Sequence, residues 1–225
     1  MSNIRKAIAK SMCASLTEMA QLTLNSSFDA TALMDYRAKL KEGAEAMGLG
    51  KITINDVILF AVSRILPKYP ELNANLVDGK FRKYKHANVT MAVDTERGLL
   101  VPVIFGAETK TLSEIAAETK VLASKAKEGK LLPDEMKNGS FTVSNLGSMG
   151  IESFTPVINP PQTAILGVCG MEDKVRAGKD GQIELYKAMG LSLTIDHRAL
   201  DGADGSRFLK ELCTAMTKFS VLLAQ

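Results

Sequence analysis

The chain has 225 residues, 46% of them hydrophobic and 24% charged, enough to bury a sizeable core in one large domain or two small ones. A net charge of +3, with its lysines and arginines spread along the chain, gives no basis for nucleic-acid or membrane-surface binding, and no apolar run reaches the ~18–20 residues of a membrane span. Cys13, Cys169 and Cys213 are odd in number and widely spaced, which argues against a disulfide framework or a structural zinc site, so each is read as a small buried hydrophobe.

Ile4, Ala7, Ile8, Ser11, Met12, Ser15, Leu16 and Met19 recur at three- and four-residue steps, so an amphipathic helix opens the chain. Arg5, Lys6 and Lys10 sit in its first turns, where the helix dipole disfavours cations, and call for partners elsewhere. Residues 21–29 alternate as a strand. Thr31 is placed to cap a second helix running to about Met47, with Gly48-Leu49-Gly50 as its stop. Thr53 and Asp56 form a capping pair ahead of a third helix, apolar on most sides and therefore expected to be deeply buried, which Pro67 and Pro70 end. Asp78-Gly79 between apolar residues marks a hairpin over 76–81. The basic residues Lys80, Arg82, Lys83 and Lys85 that follow read as a solvated hairpin at least as well as a polyanion site.

Residues 89–105 read as strand, turn at Glu96-Arg97-Gly98 and second strand, the latter an edge or bulge because it contains Pro102. Thr111-Leu112-Ser113-Glu114 begins a long amphipathic helix ending near Gly129, and Pro133 to Met136 forms one further helical turn. Strands follow at 141–147, ending in a polar turn, and at 163–168, with a hairpin loop at 178–181. Leu191, Leu193 and Ile195 then alternate with Ser192 and Thr194 as a half-buried strand running into His197 and Asp201. A turn at 202–205 and a helix carrying Phe208, Leu209, Leu212, Ala215, Met216 and Phe219 close the chain. Helices and strands mix with short connections and no linker or repeat, which reads as one α/β domain.

His86 and His197 are the only histidines, so candidates for neutral-pH base chemistry are few. Taken alone, a lone histidine is more often structural than catalytic. The string Asp196-His197-Arg198-Ala199-Leu200-Asp201-Gly202, however, resembles the Asp-His-Arg-x-x-Asp-Gly signature of the dihydrolipoamide acyltransferases, the catalytic cores of the 2-oxo-acid dehydrogenase complexes. Residues 4–9, the Lys-x-Thr-x-Asn-Asp block at 51–56, residues 98–104, and 141–147 continuing through 154–162 resemble further blocks of that family, in family order.

The resemblance implies a mixed-sheet α/β sandwich of the coenzyme A-dependent acyltransferase type, related to chloramphenicol acetyltransferase. It implies a catalytic core domain over residues 1–225, standing without the family's lipoyl and peripheral-subunit-binding domains. The implied reaction moves an acyl group, acetyl by frequency, between a dihydrolipoyl thiol and coenzyme A. His197 would be the base and Ser144 the hydroxyl that stabilises the oxyanion. Without the resemblance, Ser144 reads as a turn serine bonding its own backbone. Asp201 would be a second acid/base group, an orienting partner for His197 or a loop anchor, and by analogy an ion-pair partner of Arg5. His86 falls outside every block and reads as a surface residue, and Arg198 as structural or interface-forming.

Three subunits would associate, His197 facing Ser144 of a neighbouring chain, and the trimers would build a 24-mer or 60-mer, with residues 219–225 as a candidate contact. Implied partners are a lipoyl domain on another segment or chain, a decarboxylase and dihydrolipoamide dehydrogenase; no metal, nucleic acid or membrane is implied. The expected compartment is reducing, either cytoplasm or mitochondrial matrix. Two other readings are a non-catalytic scaffold of the same fold and an acetyltransferase with a small-molecule acceptor. A Ser-His-Asp hydrolase lacks its Gly-x-Ser-x-Gly elbow here.

Overall fold

The computed structural model describes residues 1–44, 46–178 and 180–224. Helix α1 (Asn3–Glu18) leads into strand β1 (Gln21–Asp29), followed by α2 (Thr31–Gly43) and α3 (Ile54–Ile65). A hairpin of β2 (Ala74–Val77) and β3 (Lys80–Lys83) precedes β4 (Val89–Met91), β5 (Val103–Ile104) and α4 (Leu112–Glu128). The last third holds β6 (Phe141–Asn145), β7 (Ala164–Ala177), β8 (Ile183–Asp196), α5 (Gly202–Thr217) and the short α6 (Phe219–Leu222).

Six strands form one sheet in the order β1-β8-β7-β6-β4-β5. Strand β6 runs parallel to β4 and β7, and the remaining pairs are antiparallel, so the sheet is mixed as expected. The tandem antiparallel β7 and β8 need only a hairpin, whereas the parallel β4–β6 step is bridged by α4, the crossover a parallel pair requires. Strand β5 lies at the sheet edge, which is where Pro102 beside it is tolerated.

Alternation along the strands gives the sheet two different faces. Val89, Met91, Phe141, Val143, Leu166, Val168, Leu191, Leu193 and Ile195 join the helices in one buried core. Helix α3 lies at its centre, buried from Asp56 to Ser63, and its N-terminus carries the Thr53–Asp56 capping box anticipated from the sequence. The opposite face is unusually polar. Thr90, Thr142, Ser192 and Thr194 are buried there and bond to one another or to neighbours, Thr90 to Thr142 at 2.6 Å and Thr194 to Thr23 at 2.8 Å. The irregular segment 151–162 and α1 cover this face, with the Ser15 hydroxyl donating to the Ile158 carbonyl at 2.7 Å and Ile158 N–H donating to Gln21 Oε1.

Several sequence expectations need correction. Helix α2 stops at Gly43, short of Met47, and Asp29 rather than Thr31 supplies the side chain at its start, accepting from Thr31 N–H at 2.9 Å. Residues 202–205 are not a separate turn but the first turn of α5, with Asp201 as N-cap residue. Strands β7 and β8 each run 14 residues, because the sheet continues into a two-stranded arm held by ion pairs Asp173–Lys187 and Arg176–Glu184 as well as backbone bonds. Lys179 of the predicted hairpin loop lies outside the described residues, as do Glu45 of the predicted second helix and Gln225 of the C-terminal stretch. Only Cys169 of the three cysteines is buried; Cys13 is exposed on α1 and Cys213 half-buried on α5. Phe219 and Leu222 insert into the chain's own core while Val221 stays exposed. Helix α1 is less buried than its pattern suggests: Ser15 alone is buried, and Ile4 and Leu16 face outward. Among the described residues no helix is long and apolar enough to cross a membrane.

Candidate active site

The polar alternation of β8 carries down to Asp196, the last residue of the strand, which has no solvent exposure. Its carboxylate is met by Arg198, two residues on: Oδ1 accepts from Arg198 N–H at 3.1 Å and from Nε at 3.0 Å, and Oδ2 from Nη2 at 2.7 Å. Bidentate charge-assisted bonds of this kind both neutralise the buried charge and fix the turn, and the same bonds hold the Arg198 guanidinium above its ordinary pKa. His197 N–H donates to the Ala20 carbonyl at 2.8 Å, and Asp196 N–H to the Thr163 carbonyl at 2.8 Å. The backbone on which the imidazole rides is therefore pinned on both sides.

The imidazole itself is half in solvent. Its Nδ1 faces Asp201 Oδ1 at 3.7 Å, beyond hydrogen-bond range. Asp201 is 81% exposed, and its N–H points at Asp204 Oδ2 at 3.4 Å. The expected pairing of Asp201 with Arg5 is not formed within the chain. His197 sits beside Ala20, just past the end of α1, whereas Arg5 lies 15 residues earlier, roughly 22 Å back along the helix. The Arg5 guanidinium instead approaches the turn at Gly98. His86 lies far from this loop in sequence and pairs with Glu108 at 2.5 Å on the surface.

Ser144 projects from β6 onto the polar face and lines a mostly apolar cavity of about 510 Å³. Ala7, Ile8 and Met12 of α1, Leu99 and Val101 before β5, and Phe154 to Val157 complete its walls. Asn145, the next residue, points the other way and helps line a second cavity of about 650 Å³ with Arg37, Thr53, Asn55 and Ser148. Ala92 borders both, so the two spaces adjoin around the end of β6. The Asn145 amide donates to Asn55 at 3.1 Å, joining the Lys-x-Thr-x-Asn-Asp block to the turn after β6. Arg37 makes no ion pair with another described residue.

His197 and Ser144 do not meet within one chain. Ser144 is in register with Gly167, and Gly167 with Ser192. His197 stands five residues beyond Ser192, roughly 16 Å along the strand direction. Sequence reasoning missed Asp196 as the anchor of the loop, although its polar-face register with Ser192 and Thr194 was legible. It also missed Arg37, which lies in no motif, and the place of Phe154, which opens the 154–162 block but is brought to the cavity only by the packing of the 151–162 segment. Among the described residues no cluster of three His, Cys, Asp or Glu side chains could hold a metal ion.

The chain is 40% identical over 220 residues to the dihydrolipoyllysine-residue acetyltransferase component of the pyruvate dehydrogenase complex of Mycoplasma capricolum, covering 97% of this chain and 50% of that protein. It is also 40% identical over 224 residues to the component of the same name from Staphylococcus aureus, covering 99% and 52%. The chain thus spans about half the length of the curated relatives it matches. Among solved structures, Azotobacter vinelandii dihydrolipoamide acetyltransferase superposes with a TM-score of 0.93 at 34% identity, over 99% of this chain and 92% of that one. A truncated catalytic core of the Thermoplasma acidophilum 2-oxoacid dehydrogenase complex gives 0.86 at 34%, over 96% and 95%. Chloramphenicol acetyltransferase, with a TM-score of 0.56 at 16% identity over 92% and 94%, shares the fold. The family described as 2-oxoacid dehydrogenases acyltransferase (catalytic domain) matches residues 1–224, and with relatives of this identity and coverage the chain belongs to that family.

Proposed function

We propose that this domain transfers an acyl group, acetyl in the first instance, between the thiol of a dihydrolipoyl group and the thiol of coenzyme A. The observation that carries the reading is the pair of half-sites on one chain: a base on a pinned loop at the end of β8, and a hydroxyl at the mouth of an apolar cavity on β6. The Azotobacter vinelandii structure is described as an investigation of a serine, a histidine and an asparagine in the catalytic mechanism of that enzyme. Its histidine and asparagine stand four positions apart, as His197 and Asp201 do here. An asparagine and an aspartate share a hydrogen-bonding oxygen but not a charge, which favours ring orientation over proton transfer as the work of Asp201.

The thiolate rather than the thiol is the nucleophile and free thiols titrate near ~8.5, so His197 takes the thiol proton on Nε2 as sulfur attacks the thioester carbonyl. The carbon–sulfur bond forms, and the carbonyl oxygen becomes an oxyanion that accepts a hydrogen bond from the Ser144 hydroxyl. Collapse expels the second sulfur, which takes the proton back from His197. The apolar wall around Ser144 excludes water, protecting the thioester from hydrolysis and strengthening that hydrogen bond. The adjoining cavity suits coenzyme A in chemistry: Arg37 offers a cation to phosphate, while Asn55 and Asn145 offer amides.

Because the half-sites lie apart within one chain, the complete site forms between copies, His197 of one chain against Ser144 of the next. The outward Ile4 and Leu16 of α1 suit that contact. The proposed assembly is a homotrimer that builds a larger cubic or dodecahedral core, serving a lipoyl domain, a decarboxylase and dihydrolipoamide dehydrogenase.

The test is acyl transfer from acetyl-, succinyl- and isobutyryl-coenzyme A to dihydrolipoamide, with His197→Ala beside the parent. A fall in kcat of about 10²–10⁴ in the variant supports the assignment. An assembled parent that transfers none of the three groups overturns it.

A further inference from the structure

One row of register partners crosses the polar face at the cavity: Ser192 on β8, Gly167 on β7 and Ser144 on β6. Hydroxyls stand at both ends of the row and no side chain stands at its centre. Phe154 fills that space from above. A Cβ on Gly167 would lie 2.6 Å from Cζ and 2.8 Å from Cε1 of the ring, where carbon atoms pack best at roughly 3.5–4.0 Å. The ring therefore rests directly on the β7 backbone, while its own N–H is directed at Ser192 Oγ at 3.5 Å.

Phe154 and Ser144 line the same cavity. The height at which the ring seats on β7 thus sets one wall of the space beside the Ser144 hydroxyl. The glycine at 190 differs in kind: a Cβ there would meet the Glu152 carbonyl and Cys169 Cβ, a close backbone approach with no side chain of the cavity involved. Gly167 alone of these two governs a ring that lines the space.

Resting on the acyl-transfer reading above, we infer that the Gly167–Phe154 contact gauges the size of the acyl group accepted. Phe154 is the specificity-determining wall beside the reacting carbonyl, and Gly167 is the positioning residue that keeps the ring flat on β7. A methyl at 167 lifts the ring by about 1 Å to restore van der Waals distance, narrowing the space above the strand. A smaller side chain at 154 widens it.

The experiment measures kcat/KM for acetyl-, propionyl-, isobutyryl- and hexanoyl-coenzyme A with dihydrolipoamide in the parent, Gly167→Ala, Phe154→Leu and the double variant. Phe154→Leu raises the isobutyryl-to-acetyl ratio about tenfold, the scale on which an apolar pocket discriminates one or two methylenes. Gly167→Ala lowers that ratio about tenfold in the parent but changes it less than about threefold on the Phe154→Leu background, where no ring remains to be lifted. A uniform fall across all donors, or the same ratio change on both backgrounds, overturns the gauge and leaves Gly167 as packing. A change confined to KM for dihydrolipoamide overturns it too. Should Gly167→Ala not fold, Phe154→Leu decides alone, and an unchanged donor ratio overturns the inference. A parent that transfers no donor brings down the acyl-transfer reading and the gauge together; a working parent with flat donor ratios brings down only the gauge.

Discussion

The two halves of the Asp196–Arg198 pair are not equivalent, and cutting them separately tests whether the pair anchors the His197 loop. Asp196 has no exposed side-chain surface, whereas Arg198 keeps 43% of its own. Replacing Arg198 by Met leaves a carboxylate closed off from water without its counter-charge, and breaking a buried pair from that side costs about 3–5 kcal/mol. Replacing Asp196 by Asn leaves a guanidinium already half in water, beside a carboxamide oxygen that still accepts. That loss is closer to one charge-assisted hydrogen bond, about 1.5–3 kcal/mol. For a chain of this length each kcal/mol moves Tm by about 2–4 °C. Thermal unfolding at pH 7 should therefore place Arg198→Met below the parent by roughly 6–20 °C and Asp196→Asn by roughly half as much. Both variants should lose about 10–10² in kcat with KM little changed, since a base displaced by about 1 Å loses reactivity rather than affinity. An Asp196→Asn variant that melts below Arg198→Met would refute the burial argument. A loss of stability with kcat intact would refute the anchoring of His197.

Two further outcomes concern the cavities. Ser144→Ala should lower kcat about 10²–10³-fold, the loss typical of one oxyanion donor, with assembly unchanged by sedimentation; a loss confined to KM would remove Ser144 from the reacting centre. Arg37→Gln should raise KM for coenzyme A roughly tenfold while leaving KM for dihydrolipoamide unchanged, as expected for one lost charge-assisted phosphate contact. Equal effects on both substrates would place the coenzyme elsewhere.

Periodicity and capping chemistry were enough to locate α3 and α4, with their Thr53–Asp56 and Thr111–Glu114 capping boxes, and the Asp78-Gly79 hairpin between β2 and β3. These features are local: the residues that make each bond lie within a turn of one another, and no distant contact competes with them. The hairpin between β7 and β8 was read from its loop at 178–181, but the length of its two strands was not, because residues 172–176 and 184–187, charged at six of nine positions, are ordinary surface sequence until they lie opposite one another in the ladder. The start of α5 was misread for a related reason. Gly202 and Gly205 look like turn residues, but Gly205 is buried against Leu24 and Ile195, where a larger side chain would crowd the helix off the sheet.

For function, the string around His197 and the block that holds Ser144 identified the family by resemblance, and the reaction class came with that resemblance; by residue chemistry alone His197 reads as structural and Ser144 as a turn serine. Their placement was a different matter. That His197 lies past the end of β8, roughly 16 Å along the strand direction from the register row of Ser144, that Arg5 lies a helix length from the His197 loop, and that Phe154 rests on Gly167 beside the serine all depend on sheet order, register and helix direction. These are long-range pairings among segments distant in sequence, set by how the whole core packs, so no local reading of residue types could decide them.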